Sequence, residues 1–153
     1  MYQRILVPVD GSDTSNLALD EAIKLAKELK SELRLVYVVD VVAAYAMTEA
    51  ALPLAEFEKM SRDWGEKLLA SCADKARAAG VPFDAKCLVV DTLGHRVCDR
   101  IEEEARSWPA DLIVIGTHGR RGVNRLLLDS VAEGVMRIAT APVLSIRGPS
   151  AAA

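Results

Sequence analysis

One stretch of the chain, DLIVIGTHGRRGVNRLLLDSVAEGVMR from Asp111 to Arg137, constrains the fold more than any other. It opens with a short apolar run, is interrupted at Gly116, Gly119 and Gly122, and closes with apolar residues at helical spacing. The pattern predicts a buried strand, a glycine-rich turn and a helix, in that order. Glycines at such a junction allow positive φ and a close approach of a ligand to the backbone. The unpaired amides at the start of the helix favour an anion, which indicates a phosphate site.

Apolar runs alternate with helical patterns along the whole chain. The predicted strands cover residues 5–9, 33–39, 83–90, 112–115 and 142–146. This alternation predicts one α/β domain over residues 1–148, with a five-stranded parallel sheet and helices on both faces. Residues 149–153 are assigned to a disordered tail. Ligands bind such sheets at the carboxyl ends of the strands, and there Asp10 and the glycine turn are expected to meet.

Helical spacing also predicts which side chains are buried. The second helix starts at Pro53, and Met60 and Trp64 belong to its predicted core-facing stripe. The third helix is predicted over residues 93–106, and the acidic run 102–104 is assigned to its solvated face. These three glutamates are therefore expected to contact water rather than the core.

Composition excludes several classes of partner. The 153 residues are 51% hydrophobic, carry a net charge of -3, and have their basic residues scattered rather than clustered. Nucleic acid is therefore not an expected partner. No apolar run approaches the roughly 18 residues of a membrane span, and the first residues show no cleavable targeting pattern. A soluble, cytoplasmic protein without a membrane partner is expected.

Neither a metal site nor a catalytic set is recognisable in the sequence. The three cysteines are far apart and form no C-x-x-C pair, so neither a disulfide framework nor a zinc site is indicated. His95 and His118 each lack a second metal ligand at helical spacing. No serine or cysteine stands with a histidine and a carboxylate in a recognisable arrangement. We therefore predict no metal ligands and no catalytic residues.

The glycine spacing rules out the common nucleotide motifs. The three glycines of the turn do not form G-x-G-x-x-G, and they follow the fourth predicted strand rather than the first. A Walker-type G-x-x-x-x-G-K-[ST] motif does not occur. The loop Asp10-Gly11-Ser12-Asp13 also differs from the Ser-Gly-Gly loop of ATP enzymes that release pyrophosphate. If the turn binds a phosphate, it does so through a different motif.

Four segments together resemble the universal stress protein family over nearly the whole chain: VPVDGSD, LVYVVD, GTHGRRGVNRLLLDSVAEGVMR and APVLSIR. The resemblance implies a Rossmann-like fold similar to adenine nucleotide alpha hydrolases. It also implies a non-catalytic protein that responds to ATP or AMP during stress, with Mg²⁺ accompanying ATP. Family members form dimers, often through their last strands. We expect a homodimer through the 143–146 strand, because a monomer would leave its apolar edge open.

The family's ATP-binding members carry the motif G-x2-G-x9-G-[ST]. Gly116, Gly119 and Ser130 fall on three of its four defined positions, and Asp129 stands where the third glycine is expected. By this resemblance, Asp10 would hold the ribose. The adenine would be bordered by Pro8, Val9 and Val38. Ribose and phosphates would be contacted by Gly116, Gly119, Ser130 and Val131.

Asp129 weakens the expected phosphate site. The letters SVAE from Ser130 have the form of a capping box, so the helix is predicted to begin there, with Asp129 as its cap or just before it. A carboxylate about 4 Å from a phosphate charge costs roughly 1 to 4 kcal/mol, depending on the local dielectric. Arg120, Arg121 and Arg125 offset this repulsion in one arrangement, whereas in another Arg125 pairs with Asp129. The sequence leaves both open.

Purely structural roles are also open for the same residues. The glycines alone would serve a tight turn without a ligand, and Asp10 alone would cap the next helix. The functional hypotheses are a nucleotide-responsive module, a nucleotide-free interaction protein in which Asp129 replaces the phosphate, and a slow ATPase.

Overall fold

The computed structural model describes residues 1–42, 46, 53–117 and 125–149, of which 125–130 are described by their backbone alone. The elements follow in the order β1 Arg4–Pro8, α1 Asp13–Leu29, β2 Glu32–Asp40, α2 Leu54–Ala78, β3 Phe83–Val90, α3 Val97–Ser107, β4 Leu112–Thr117, α4 Arg125–Ile138 and β5 Val143–Arg147. Among the helices described, none has the length and apolarity needed to cross a bilayer. The predicted tail from residue 150 onward lies outside the described residues.

The five strands form one parallel sheet in the order β3-β2-β1-β4-β5. The predicted α/β fold with a five-stranded parallel sheet is therefore confirmed. The first strand in the chain lies at the centre, and the connections on its two sides run in opposite directions. The strand order consequently reverses between β1 and β4, which is where sheets of this kind bind ligands.

Helices cover both faces of the sheet. The cluster that contains Leu19 of α1 and Leu69 of α2 packs on one face, with Val7 of β1. The cluster that contains Ile101 of α3 and Val135 of α4 packs on the other face. Successive strand residues point to opposite faces of the sheet. A strand whose two faces are both covered by helices therefore has apolar residues at every position.

The predicted stripe of α2 is wrong in its first half. Met60 is 61% exposed and Trp64 is 51% exposed, whereas the buried residues of this helix begin at Gly65. The helix has 25 residues and is about 37 Å long at 1.5 Å per residue. The neighbouring strand β3 has eight residues and spans about 26 Å at 3.3 Å per residue. The first turns of α2, including Met60, therefore extend past the strands, whereas Trp64 still contacts the Tyr37 ring of β2, with ring centroids 5.4 Å apart.

The assignment of the acidic run to a solvated face is also wrong, because Glu102 is only 5% exposed and Glu104 only 3%. Glu104 Oε1 accepts from Arg34 Nη1 at 2.8 Å. Glu102 Oε1 accepts from the Thr140 hydroxyl at 2.9 Å and from the Thr140 amide at 3.2 Å. Of the three glutamates only Glu103 is exposed. Glu104 is paired with Arg34 of β2, and Glu102 is hydrogen-bonded to Thr140 and to Arg106 of the same helix, so neither buried carboxylate is without a partner.

Two helices begin elsewhere than predicted. The backbone of α4 is helical from Arg125, so Asp129 and Ser130 lie in its second turn and the predicted capping box is wrong. Arg125 is followed by three leucines, all good helix formers, which extend the helix upstream. In contrast, α3 begins at Val97, four residues later than predicted, because Gly94 adopts a φ of +83° in the preceding turn.

Candidate functional site

A cleft lies at the carboxyl end of the sheet, where the strand order reverses. Its lining comes from β1, β2, β4, α1, α3 and α4, and the space within it, including the solvent at its open mouth, is about 480 Å³. Six of the eight predicted site residues line it: Pro8, Val9, Asp10, Val38, Gly116 and Val131. Gly119 lies outside the described residues, and Ser130 is described only by its helical backbone beside Val131.

The cleft exists because β1 ends before β2 does. The ladder between them stops at the pair Pro8 and Val36, while β2 continues to Asp40. Just beyond the ladder, the Val9 amide still donates to the Val36 carbonyl at 2.8 Å. Backbone directions alternate along a strand, so Val38 turns its N–H and C=O to the same side as Val36. No described residue hydrogen-bonds to these two groups of Val38, which open onto the cleft.

Apolar side chains form the walls of the cleft. Val36 and Val38 contribute from β2, Val97 and Ile101 from α3, and Val131 from the second turn of α4. Two apolar layers facing each other across a sheet edge suit a flat, hydrophobic ring better than a chain of charges.

The loop after β1 brings polar groups to one end of the cleft. Gly11 adopts a φ of +83°, and the Ser12 amide donates to Asp10 Oδ1 at 2.9 Å. Ser12 is the N-cap of α1, because its side chain accepts from the Ser15 amide at 3.2 Å. The role of helix cap therefore belongs to Ser12 rather than to Asp10. Asp10 Oδ2 receives no hydrogen bond from the described residues.

Gly116 lies inside β4, and its φ is not positive. A Cβ at this position would approach the Thr14 carbonyl carbon and oxygen to 2.6 Å, and the Ser15 amide nitrogen to 2.9 Å. Only glycine lets the end of β4 rest directly on the first turn of α1. The hypothesis of a tight turn is therefore wrong for this glycine, because its close approach is to another segment of backbone.

Six residues that line the cleft were not predicted from the sequence: Ser15, Val36, Tyr37, Val97, Ile101 and Ile115. The last three have apolar side chains at strand or helix spacing, the same pattern that ordinary core residues show. Ser15 follows the loop motif DGSDT, which carries no recognisable signal for a serine in a binding site. Only the packing of the helices against the sheet distinguishes these cleft residues from ordinary core residues.

Burial favours the neutral forms of the Tyr37 phenol and the Cys98 thiol. Burial raises the pKa of the Tyr37 phenol, and nearby Cys87 and Asp10 add to the effect. Burial likewise raises the pKa of the Cys98 thiol, which lies beneath the contact between α3 and α4. A protonated thiol is a poor nucleophile. Asp10 is the one carboxylate among the described residues that line the cleft.

Comparisons with known proteins agree with this architecture. The model described as "Universal stress protein family" matches residues 1–147. Universal stress protein MJ0531 of Methanocaldococcus jannaschii is 34% identical, over 97% of this chain and 84% of that protein. The crystal structure of a universal stress protein family member from Burkholderia pseudomallei superimposes with a TM-score of 0.77 at 33% identity, covering 95% of this chain and 96% of that one.

A further solved structure, a universal stress protein in complex with cAMP, matches with a TM-score of 0.66 at 26% identity, covering 95% of this chain and 97% of that one. These structures share the Rossmann-like, adenine nucleotide alpha hydrolase-like fold with its parallel sheet. The resemblance inferred from the four sequence segments is thus confirmed over almost the full length. The chain belongs to the universal stress protein family.

Proposed function

We propose that this protein is a nucleotide-responsive regulatory module of the stress response, which binds an adenine nucleotide in the cleft and acts by binding rather than by catalysis. One observation carries the proposal: an apolar slot ends at a carboxylate oxygen, Asp10 Oδ2, that no described residue engages. The related protein at 26% identity is in complex with cAMP, which supports an adenine nucleotide as the ligand class.

The backbone of Val38 supports adenine over guanine. Its N–H would donate to adenine N1, and its C=O would accept from the 6-amino group. Guanine carries a donor at N1 and an acceptor at position 6, so the same two backbone groups would face like partners. The valine side chains of β2 point to the same side of the sheet and would cover one face of the ring. Base selection would then depend on the backbone rather than on a polar side chain.

Asp10 would hold the ribose. Its Oδ1 is already occupied by the Ser12 amide, which fixes the plane of the carboxylate and leaves Oδ2 for a sugar hydroxyl. A hydrogen bond to a charged acceptor is among the stronger ones in proteins. This geometry favours the ribose role of Asp10 over its alternative role as a helix cap.

The phosphates would lie toward Gly116, Gly119, Ser130 and Val131. Helix α4 begins at Arg125, so its free amides belong to the turn before Asp129. The nucleotide-free alternative required Asp129 to occupy those amides as a cap, and the observed start of the helix removes that premise. We therefore favour AMP, or ATP with Mg²⁺, as the ligand.

Catalysis has less support than binding. A slow ATPase would need a base to activate water, and Asp10 is engaged with the Ser12 amide at one of its two oxygens. The raised pKa of the Cys98 thiol makes this cysteine a poor nucleophile. A cytoplasmic homodimer, joined through β5, completes the proposal.

Calorimetry with AMP and with MgATP tests the proposal. Asp10→Asn keeps an oxygen for the Ser12 amide but removes the charge, so we expect nucleotide affinity to fall about tenfold. Asp13→Asn is the matched control: it lies three residues away, does not line the cleft, and should bind like the wild type. GMP should bind more weakly than AMP. A wild type that binds neither adenine nucleotide at millimolar concentration would refute the proposal.

Two further measurements separate the alternatives. Asp129→Gly should strengthen ATP binding more than AMP binding, because the removed charge would lie near the phosphates. Binding that appears only in Asp129→Gly would favour the nucleotide-free interaction protein. Phosphate release from ATP that is faster in the wild type than in Asp10→Asn would favour the slow ATPase.

A further inference from the structure

Ser15 is a buried hydroxyl in the wall of the cleft. It is the third residue of α1, is 3% exposed, and lies at the end of the cleft that Asp10 occupies. Its Oγ accepts from the Asp10 amide at 3.1 Å, and its own amide donates to Ser12 Oγ at 3.2 Å. The hydroxyl proton of Ser15 has no acceptor among the described residues. Buried hydroxyl donors are costly to leave without a partner.

The position of this hydroxyl is tightly determined. The Asp10 amide holds its oxygen from one side, and the end of β4 lies against the Ser15 backbone, where a Cβ on Gly116 would come within 2.9 Å of the amide nitrogen. Residues Asp10 and Ser15 therefore present two complementary groups to the same end of the cleft. Asp10 Oδ2 accepts hydrogen bonds only, whereas the Ser15 proton is a donor.

We propose that Ser15 is a ligand-binding residue that donates its hydroxyl proton to an oxygen of the ribose, beside the carboxylate of Asp10. A sugar hydroxyl both donates and accepts, so it matches an adjacent acceptor and donor at once. The pair selects a nucleotide with an intact ribose over one that lacks the hydroxyl in question. The inference rests on the proposed function, because it concerns the same cleft and the same nucleotide.

A purely structural role would have a different signature. If Ser15 only accepts from the Asp10 amide, Ser15→Ala weakens every nucleotide equally, because it disturbs the Asp10 loop whatever the sugar. If Ser15 also donates to the ribose, Ser15→Ala lowers the affinity only for a nucleotide that carries the hydroxyl. Variant and ligand are therefore changed together, as in a double-mutant cycle.

The experiment measures the affinity of AMP, 2′-deoxy-AMP and 3′-deoxy-AMP for the wild type and for Ser15→Ala by calorimetry. We expect the wild type to bind one of the two deoxy nucleotides about tenfold more weakly than AMP, because the groups that would bind the missing hydroxyl are left unpaired. Compared with the wild type, Ser15→Ala should bind AMP about tenfold more weakly, and its affinity for that deoxy nucleotide should fall by less than about twofold. Thr14→Val, a buried neighbour that does not line the cleft, is the control and should retain the wild-type pattern.

Equal losses of Ser15→Ala with all three nucleotides would overturn the inference and leave the proposed function intact. A wild type that binds neither AMP nor MgATP would overturn both, and for one that binds only MgATP the same comparison is made with ATP, 2′-deoxy-ATP and 3′-deoxy-ATP. If Ser15→Ala fails to fold, Ser15→Cys takes its place in the same comparison, because its thiol has a similar size but is a weak donor.

Discussion

Gly116 lies where the last residues of β4 meet the first turn of α1. Its missing side chain lets the two backbones touch, and this contact places Ser15 and the Asp10 loop beside the cleft. In the proposed function this glycine contacts ribose and phosphate. The structure adds a packing role at the same residue, which a glycine pattern in the sequence does not reveal.

Gly116→Ala should destabilise the protein by about 3 kcal/mol, because the added methyl group meets backbone atoms that have no rotamer to change. Urea denaturation measures the loss. Gly94→Ala is the control: its Cβ would meet nothing within 4 Å, so the variant bears only the strain of a φ of +83°. A smaller loss for Gly116→Ala than for Gly94→Ala would contradict the packing role.

Helix α3 joins two regions of the molecule. Val97 and Ile101 form a wall of the cleft, whereas Glu102 holds the turn between α4 and β5 through both donors of Thr140. Arg106 Nε also donates to Glu102 Oε1 at 2.8 Å. One buried carboxylate oxygen thus gathers three hydrogen bonds and fixes how α3 lies relative to the edge of the sheet.

Glu102→Ala should lower the free energy of unfolding by about 2 kcal/mol, because both Thr140 donors lose their acceptor in a partly buried position. Thermal or urea unfolding gives the value. Glu103→Ala removes an equal charge one residue away at an exposed position, and its effect should stay within about 0.5 kcal/mol. Similar losses of unfolding free energy for the two variants would mean that the hydrogen bonds of the buried carboxylate do not stabilise the fold.

The placement of helices against the sheet also explains where spacing alone misled the prediction. The acidic run at residues 102–104 has the composition of a solvated face, yet Glu104 reaches Arg34 on β2, and Arg34 in turn lies over the Trp108 ring at 4.7 Å. Partners from other elements decided the burial of these charges. No periodicity within α3 contains that information.

At the scale of the whole molecule, β5 is an edge strand that pairs only with β4 among the described strands. The Ile113 amide donates to the Pro142 carbonyl at 2.9 Å, and Ile113 lies opposite Val143. By the alternation of a parallel ladder, Leu144 directs its backbone toward β4 and Ser145 directs its backbone outward. An open edge with an exposed Leu144 favours pairing with a second copy.

Ser145→Pro should convert the expected dimer to a monomer while the fold is retained, because it removes an amide that faces outward rather than one bonded to β4. Sedimentation measures the assembly, and circular dichroism checks the fold. Ser145→Ala keeps the amide and should remain dimeric. A monomeric wild type, or a folded Ser145→Pro that still dimerises, would argue against pairing through β5.

The sequence by itself determined the alternation of strands and helices, the parallel sheet, and six of the residues that meet at the cleft. These features follow from apolar runs, from helix spacing, and from four segments that resemble one family over nearly the whole chain. Asp10 and Gly116 could be expected at the same cleft because strand ends of a parallel sheet converge at one edge.

Only the tertiary structure decided which side chains complete the site and which charges are buried. Ser15 and Val97 reach the cleft because of how α1 and α3 pack on the sheet. Met60 is exposed because α2 extends beyond the strands. Glu102 is buried because its carboxylate accepts a hydrogen bond from Thr140. Each depends on a contact between residues far apart in the chain, and such contacts leave no trace in the spacing of either partner.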